Sequence, residues 1–175
     1  MADVVRALAR PRRAPVPPLP PFEALDRTHR AILEALADFD RLLAHVDESG
    51  ADEDARRTAS TLHALFEGHA AAHHAAEERD VFPLLLAGAT PELASAVQRL
   101  QQDHGWLEED WLELAPQIEA IAKGYSWYDL AMLKLALPVF AALYREHIAL
   151  EESLVYPAAR RRQVALDDGA KHRAP

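Results

Sequence analysis

From Phe22 onward, apolar residues recur every three or four positions along the chain. The first series is Phe22, Leu25, His29, Ile32, Leu36, Phe39, Leu43 and Val46, one seam down a long amphipathic helix that Glu48-Ser49-Gly50-Ala51 breaks. A second helix is predicted from near Asp52, with the seam Ala59, Leu62, Phe66, His69, His73, Ala76 and Asp80 and with Glu77 and Val81 flanking. It ends near Pro83, in Leu-Ala-Gly-Ala. Thr90-Pro91 supplies an N-cap and a first-turn proline for a third helix. Its seam is Leu93, Val97, Leu100, His104, Leu107, Trp111, Leu114, Ile118 and Ile121, with a kink expected at Pro116 and a stop at Lys123-Gly124. Ser126 to Asp129 resembles a capping box and opens a fourth helix. Its seam is Leu130, Leu133, Leu137, Phe140, Tyr144, His147, Glu151 and Leu154, with a bend at Pro138. No segment of length alternates with period two. The expected fold is all-α, an up-down-up-down four-helix bundle.

Composition adds the ends and removes some chemistry. Six of the twelve prolines lie in residues 1–21, which read as a basic, Pro-rich, disordered arm. The bundle is assigned to 22–160 and a basic flexible tail to 161–175. Between residues 22 and 157 there are 10 basic against 25 acidic side chains. A surface that acidic repels phosphate backbones, so no nucleic-acid partner is expected of the core. The basic ends serve solubility, with contact to a protein partner as the alternative. Charges interrupt every apolar stretch, so no membrane partner is expected, and the basic N-terminus is unlike a secretory leader. The chain has no cysteine, which rules out thiolate metal sites, disulfides and iron–sulfur clusters and fits a cytoplasmic location.

The chemistry lies in an internal repeat. His73-His-Ala-Ala-Glu77-Glu-Arg-Asp-Val-Phe-Pro83 aligns with His147-Ile-Ala-Leu-Glu151-Glu-Ser-Leu-Val-Tyr-Pro157 at an offset of 74, and His29 aligns with His104 at 75. Each half therefore carries one His on its first helix and His-x-x-x-Glu on its second. Positions i and i+4 project from one helix face, so each pair can converge on one ion. A buried carboxylate needs a positive partner, and a dication supplies it. Imidazole with carboxylate oxygen suits iron, manganese or zinc, and two His plus one carboxylate per ion leaves coordination positions open. The candidate metal ligands are His29, His73, Glu77, His104, His147 and Glu151.

Other polar residues are weighed against that set. His69, on the seam one turn before His73, is open as a further ligand, a pocket-lining residue or a hydrogen-bond donor. Tyr144 is core packing with a hydroxyl within reach of the site. Glu108 is a solvated flank. His74, Glu78 and Glu152 fall off the seam and are assigned to the surface, with support of the ligands as the alternative. His45, His63 and His172 have no functional case. Trp106, Trp111 and Trp127 are read as packing.

At these residues the sequence resembles the hemerythrin-like, HHE cation-binding family. The matching features are His29 in Asp-Arg-Thr-His-Arg-Ala-Ile, His73-x-x-x-Glu77 before Val-Phe-Pro, His104 in Gln-Asp-His, and His147-x-x-x-Glu151 before Val-Tyr-Pro. The resemblance covers residues 22–160. It implies a bundle around an oxo- or hydroxo-bridged pair of iron ions, placed ahead of manganese or zinc. His29, His73, His104 and His147 would be terminal ligands, and Glu77 and Glu151 bridging carboxylates. The implied function is binding or sensing of oxygen, nitric oxide or iron. The alternative is an enzyme that decomposes peroxide or nitric oxide, or support of iron–sulfur cluster repair. The small partner would be a diatomic ligand or peroxide. The oxygen carriers of the family have a second His one turn after the third-helix ligand, where this chain has Glu108. They also end in His-x-x-x-x-Asp, where it has His147-x-x-x-Glu151.

Overall fold

The computed structural model describes residues 22–171; the expected arm at 1–21 and His172 lie outside the described residues. Within that range the structure is four long helices without a strand. The first spans Phe22–Ser49, and Gly50 ends it with φ of 75°, a left-handed conformation that glycine adopts without a Cβ clash. Asp52 caps the second helix by accepting from the Ala55 amide. This helix runs through Glu53–Ala64, a π turn at Leu65–Ala70, Ala71–Ala76, a second π turn at Glu77–Val81, and Phe82–Leu86. Thr90 caps the third, Pro91–Lys123, which continues through Pro116 and stops at Gly124 with φ of 71°. The fourth runs through Leu130–Leu150, a π turn at Glu151–Val155, and Tyr156–Lys171.

Each helix packs on the next, and the first packs on the fourth, which closes the bundle. Helix junctions fall where capping chemistry puts them, with one shift. Asp129, not Ser126, is the N-cap of the fourth helix, because its side chain accepts from the Met132 amide. The fourth helix also runs past residue 160 to Lys171, with Val164 and Leu166 exposed. No helix of the described residues is long and apolar enough to cross a membrane.

The interior has three layers. One apolar cluster gathers Ile32, Phe39, Phe66, Leu107, Trp111, Phe140 and Tyr144, among others. Another gathers Leu25, Val81, Phe82, Leu100, Val155 and Tyr156. Each helix crosses from one to the other, and the residues between are polar: His29, His73, His74, Glu77, Asp103, His104, His147 and Glu151, all buried. Apolar layers above and below seal those groups from water, at about 1.5 to 3 kcal/mol for each large side chain buried. Of the three tryptophans only Trp111 packs in the core, donating its indole N–H to Glu67 at 3.1 Å. Trp106 and Trp127 are exposed.

Candidate metal centre

The six residues singled out by the repeat converge in the polar layer. His29, His73, Glu77 and Glu151 bring one donor atom each within 4.8 Å of one another, and so do Glu77, His104, His147 and Glu151. The two groups share both glutamates. Glu151 lies between the halves: its Oε2 is 3.1 Å from His29 Nε2, and its Oε1 is 3.3 Å from His147 Nε2. Glu77 spans them through one oxygen, with Oε2 at 3.5 Å from His73 Nε2 and 3.6 Å from His104 Nε2.

The backbone explains the convergence. Glu77 and Glu151 each open a π turn, and the buried positions that follow match at the offset of 74: Val81, Phe82 and Leu85 against Val155, Tyr156 and Ala159. Such wide turns recur at functional positions inside helices. Another π turn, at Leu65–Ala70, adds a residue to the second-helix seam. Burial passes from Phe66 to Ala70 rather than to His69, so His69 is exposed and belongs to neither donor group, which corrects its place on the seam.

The same shift buries His74. Its assignment to the surface is overturned, since the ring is 3% exposed and stacks on His104 with centroids 4.1 Å apart. Glu78 and Glu152 are exposed, but each reaches a ring nitrogen of the cluster. His104 Nδ1 lies 2.9 Å from Glu78 Oε1, and His29 Nδ1 lies 3.1 Å from Glu152 Oε1. A carboxylate on the far nitrogen fixes the tautomer and leaves Nε2 as the lone-pair donor. Both glutamates are placed by the repeat, which was the available signal. Asp103, 3.7 Å from His147 Nδ1, and Tyr156 had no such reading. The Tyr156 hydroxyl donates to Glu77 Oε1 and lies 3.1 Å from His29 Nε2. Tyr144 packs among Phe66, Phe140 and the rings of His74 and His147. Glu108 is exposed, as expected.

Electrostatics separate the groups. Burial, then the charge of Glu151, pushes Glu77 up to about 8. Burial acts in the same direction on Glu151, but the adjacent imidazoles of His147 and His29 outweigh it and hold that carboxyl below its usual range. Burial, then neighbouring imidazoles, lowers His73 to about 3 and His74 to about 2. Burial lowers His29 and His104, but Glu151 with Glu152 in one case and Glu77 with Glu78 in the other together outweigh it, so both are raised.

The donor set suits a divalent cation pair. Among the described residues, buried atoms without a hydrogen-bond partner include Glu77 Oε2, His104 Nε2, His147 Nε2 and both oxygens of Glu151. Orphaned acceptors and lone pairs concentrated at the meeting point of four helices are satisfied together by cations, and imidazole with carboxylate favours first-row metals. Fold and site thus define a metal-binding four-helix bundle with shared carboxylates.

The chain belongs to the hemerythrin HHE cation-binding family, whose domain model matches residues 21–159. An uncharacterized protein of Haemophilus influenzae (strain ATCC 51907 / DSM 11121 / KW20 / Rd) is 28% identical over 134 residues, 77% of this chain and 76% of that protein. No solved structure matches the chain.

Proposed function

We propose that the protein holds two iron ions and binds or senses a small ligand, oxygen or nitric oxide, or iron itself. His29 and His73 would hold one ion and His104 and His147 the other, with Glu77 and Glu151 shared between them. The observation that carries this reading is the sharing of both buried glutamates by two four-residue donor groups. When bound, the iron pair supplies redox-active Lewis-acid sites with coordination positions left for a small molecule.

The chain's own residues do the rest. The two apolar clusters exclude water from the polar layer. Glu78 and Glu152 orient His104 and His29 through Nδ1. Tyr156 holds a proton at its hydroxyl against Glu77, and burial, then the charge of Glu77, raises that hydroxyl's pKa, so it stays a donor. A hydroxyl hydrogen-bonded beside the donor groups supports a second reading, turnover of peroxide or nitric oxide, in which such a donor orients an oxygen of the bound molecule. A cytoplasmic setting and a protein partner for the basic ends accompany the proposal.

Metal analysis and optical spectra of aerobically purified protein, before and after peroxide or nitric oxide, provide the test. About two irons per chain with oxo-bridge absorption are expected from a centre that leaves positions open. Stoichiometric zinc overturns the iron reading. Loss of both ions is expected in the double variant Glu77→Ala with Glu151→Ala, and retention of two ions overturns the ligand assignment.

A further inference from the structure

Beside the polar layer lies a cavity of about 220 Å³ between the second, third and fourth helices, and none of the six candidate ligands lines it. Its walls are graded from the inside outward. His74, Phe66, Trp111 and Tyr144 are buried, whereas Glu67 and Glu108 are exposed at the rim. The Trp111 indole N–H donates to Glu67 at 3.1 Å and holds that carboxylate in place. No Arg or Lys is among the lining residues.

His74 points to an occupant. It is 3% exposed, and neither its Nδ1 nor its Nε2 has a hydrogen-bond partner. A neutral imidazole carries one N–H and one lone pair, and leaving both unmet inside a protein is unfavourable. Its ring packs face-on against His104, within 13° of parallel, so the two rings do not converge on one point in their planes. Its counterpart in the repeat is Ile148, so the shared chemistry of the two halves does not call for it. The other walls decide what fits. Three aromatic rings favour a flat body, and together with two carboxylates they favour positive charge. An anionic ligand would meet like charge at the mouth. The cavity is larger than the roughly 150 Å³ that takes benzene and smaller than the roughly 300 Å³ of sites for drug-sized ligands, which leaves room for one ring and a short chain.

We propose that this cavity binds a small single-ring organic cation that carries a hydrogen-bonding group at the end opposite its charge. The hydrogen-bonding group meets His74 at the inner end, the ring lies among Phe66, Trp111 and Tyr144, and the ammonium stays at the rim with Glu67 and Glu108. The site goes beyond the metal reading, because no candidate metal ligand takes part in it.

Tyramine, a phenol with an ethylammonium chain, is the probe. Phenethylamine lacks its hydroxyl, and para-hydroxyphenylacetate carries a carboxylate where tyramine carries its ammonium. Calorimetric titration of the metal-loaded full-length chain at pH 7 should give tyramine a Kd of about 1 mM or tighter and phenethylamine a Kd about tenfold weaker, with no binding of the carboxylate. No tyramine binding at about 10 mM, or equal affinity for the carboxylate, overturns the proposal. In His74→Phe, tyramine should fall to the affinity of phenethylamine, which itself stays unchanged. In Glu108→Gln, a change at an exposed position, both amines should weaken by about two- to fivefold. Tyramine binding that neither variant alters lies elsewhere, the metal centre included, and overturns the assignment. The metal content of the same sample tests the di-iron reading separately, and failure of that reading leaves the expected order of affinities in place.

Discussion

Removing the metals should cost this fold a large part of its stability. Without cations, five buried atoms at the centre are left without a partner: Glu77 Oε2, His104 Nε2, His147 Nε2, Glu151 Oε1 and Glu151 Oε2. Each unsatisfied buried polar atom costs about 1 to 3 kcal/mol. The lower figure is the appropriate one, because imidazoles stand 3.1 and 3.3 Å from Glu151, and Glu77 keeps its proton. Five atoms then amount to about 5 kcal/mol, against a total stability of about 5 to 15 kcal/mol for an ordinary domain. For a chain of this size, that is a fall of about 10 to 20 °C in Tm. Thermal unfolding of metal-loaded and chelator-treated protein at pH 7 measures it, with the Glu77→Ala, Glu151→Ala double variant as a control that should no longer respond to metal. A difference of less than about 2 °C in wild type refutes the reasoning, since the orphaned atoms would then be satisfied without cations.

Other outcomes follow from the same geometry. The metal-free protein should be most stable near about pH 6.5, as followed by denaturant midpoints against pH. Glu77, raised from 4.5 to about 8, contributes stability at low pH that is lost as pH rises through that window. His73 and His74, depressed from 6.5, contribute stability at high pH that is lost as pH falls toward about 3 and about 2. Stability that climbs steadily from pH 6.5 to 8 contradicts this placement of Glu77. Because Glu77 is mostly protonated at pH 7, loading should release about one proton or more per chain, seen as a binding enthalpy that varies with buffer; a buffer-independent enthalpy refutes it. Glu78→Gln and Glu152→Gln should each weaken metal affinity by about 10- to 100-fold in chelator competition with little change in fold, and unchanged affinity removes them from the support of His104 and His29. Gly124→Ala should lower stability by about 1 kcal/mol, because a Cβ is strained at positive φ, and at this position (φ of 71°) it would lie 3.1 Å from Arg56 Nε. A melting temperature equal to wild type counts against that strain.

What the sequence made legible depended on which physical regularity carried each residue. The seams placed the core of the first and third helices well, because those helices hold one period from Leu25 to Val46 and from Val97 to Ile121. The repeat placed the six central residues, since an offset of 74 in sequence becomes a two-fold relation in space once two helix pairs face each other. Periodicity failed in the second helix, where it assumes that every turn has the same width. The π turn at Leu65–Ala70 adds one residue, so His69 rotates out and His74 rotates in, and no seam drawn at 3.6 residues per turn can show that exchange. The repeat would have been the better guide for Glu78 and Glu152, which occupy matched positions beside Glu77 and Glu151 and meet matched histidines. Surface exposure hid their role, because a carboxylate that orients a buried imidazole can itself stay half in water. Tyr156 and His74 fall where the halves differ, Tyr against Phe82 and His against Ile148. A repeat identifies what two halves share. The chemistry that distinguishes the two donor groups must therefore lie at the positions where the repeat is broken, and in this chain those positions put one hydroxyl beside the first donor group and one imidazole beside the second.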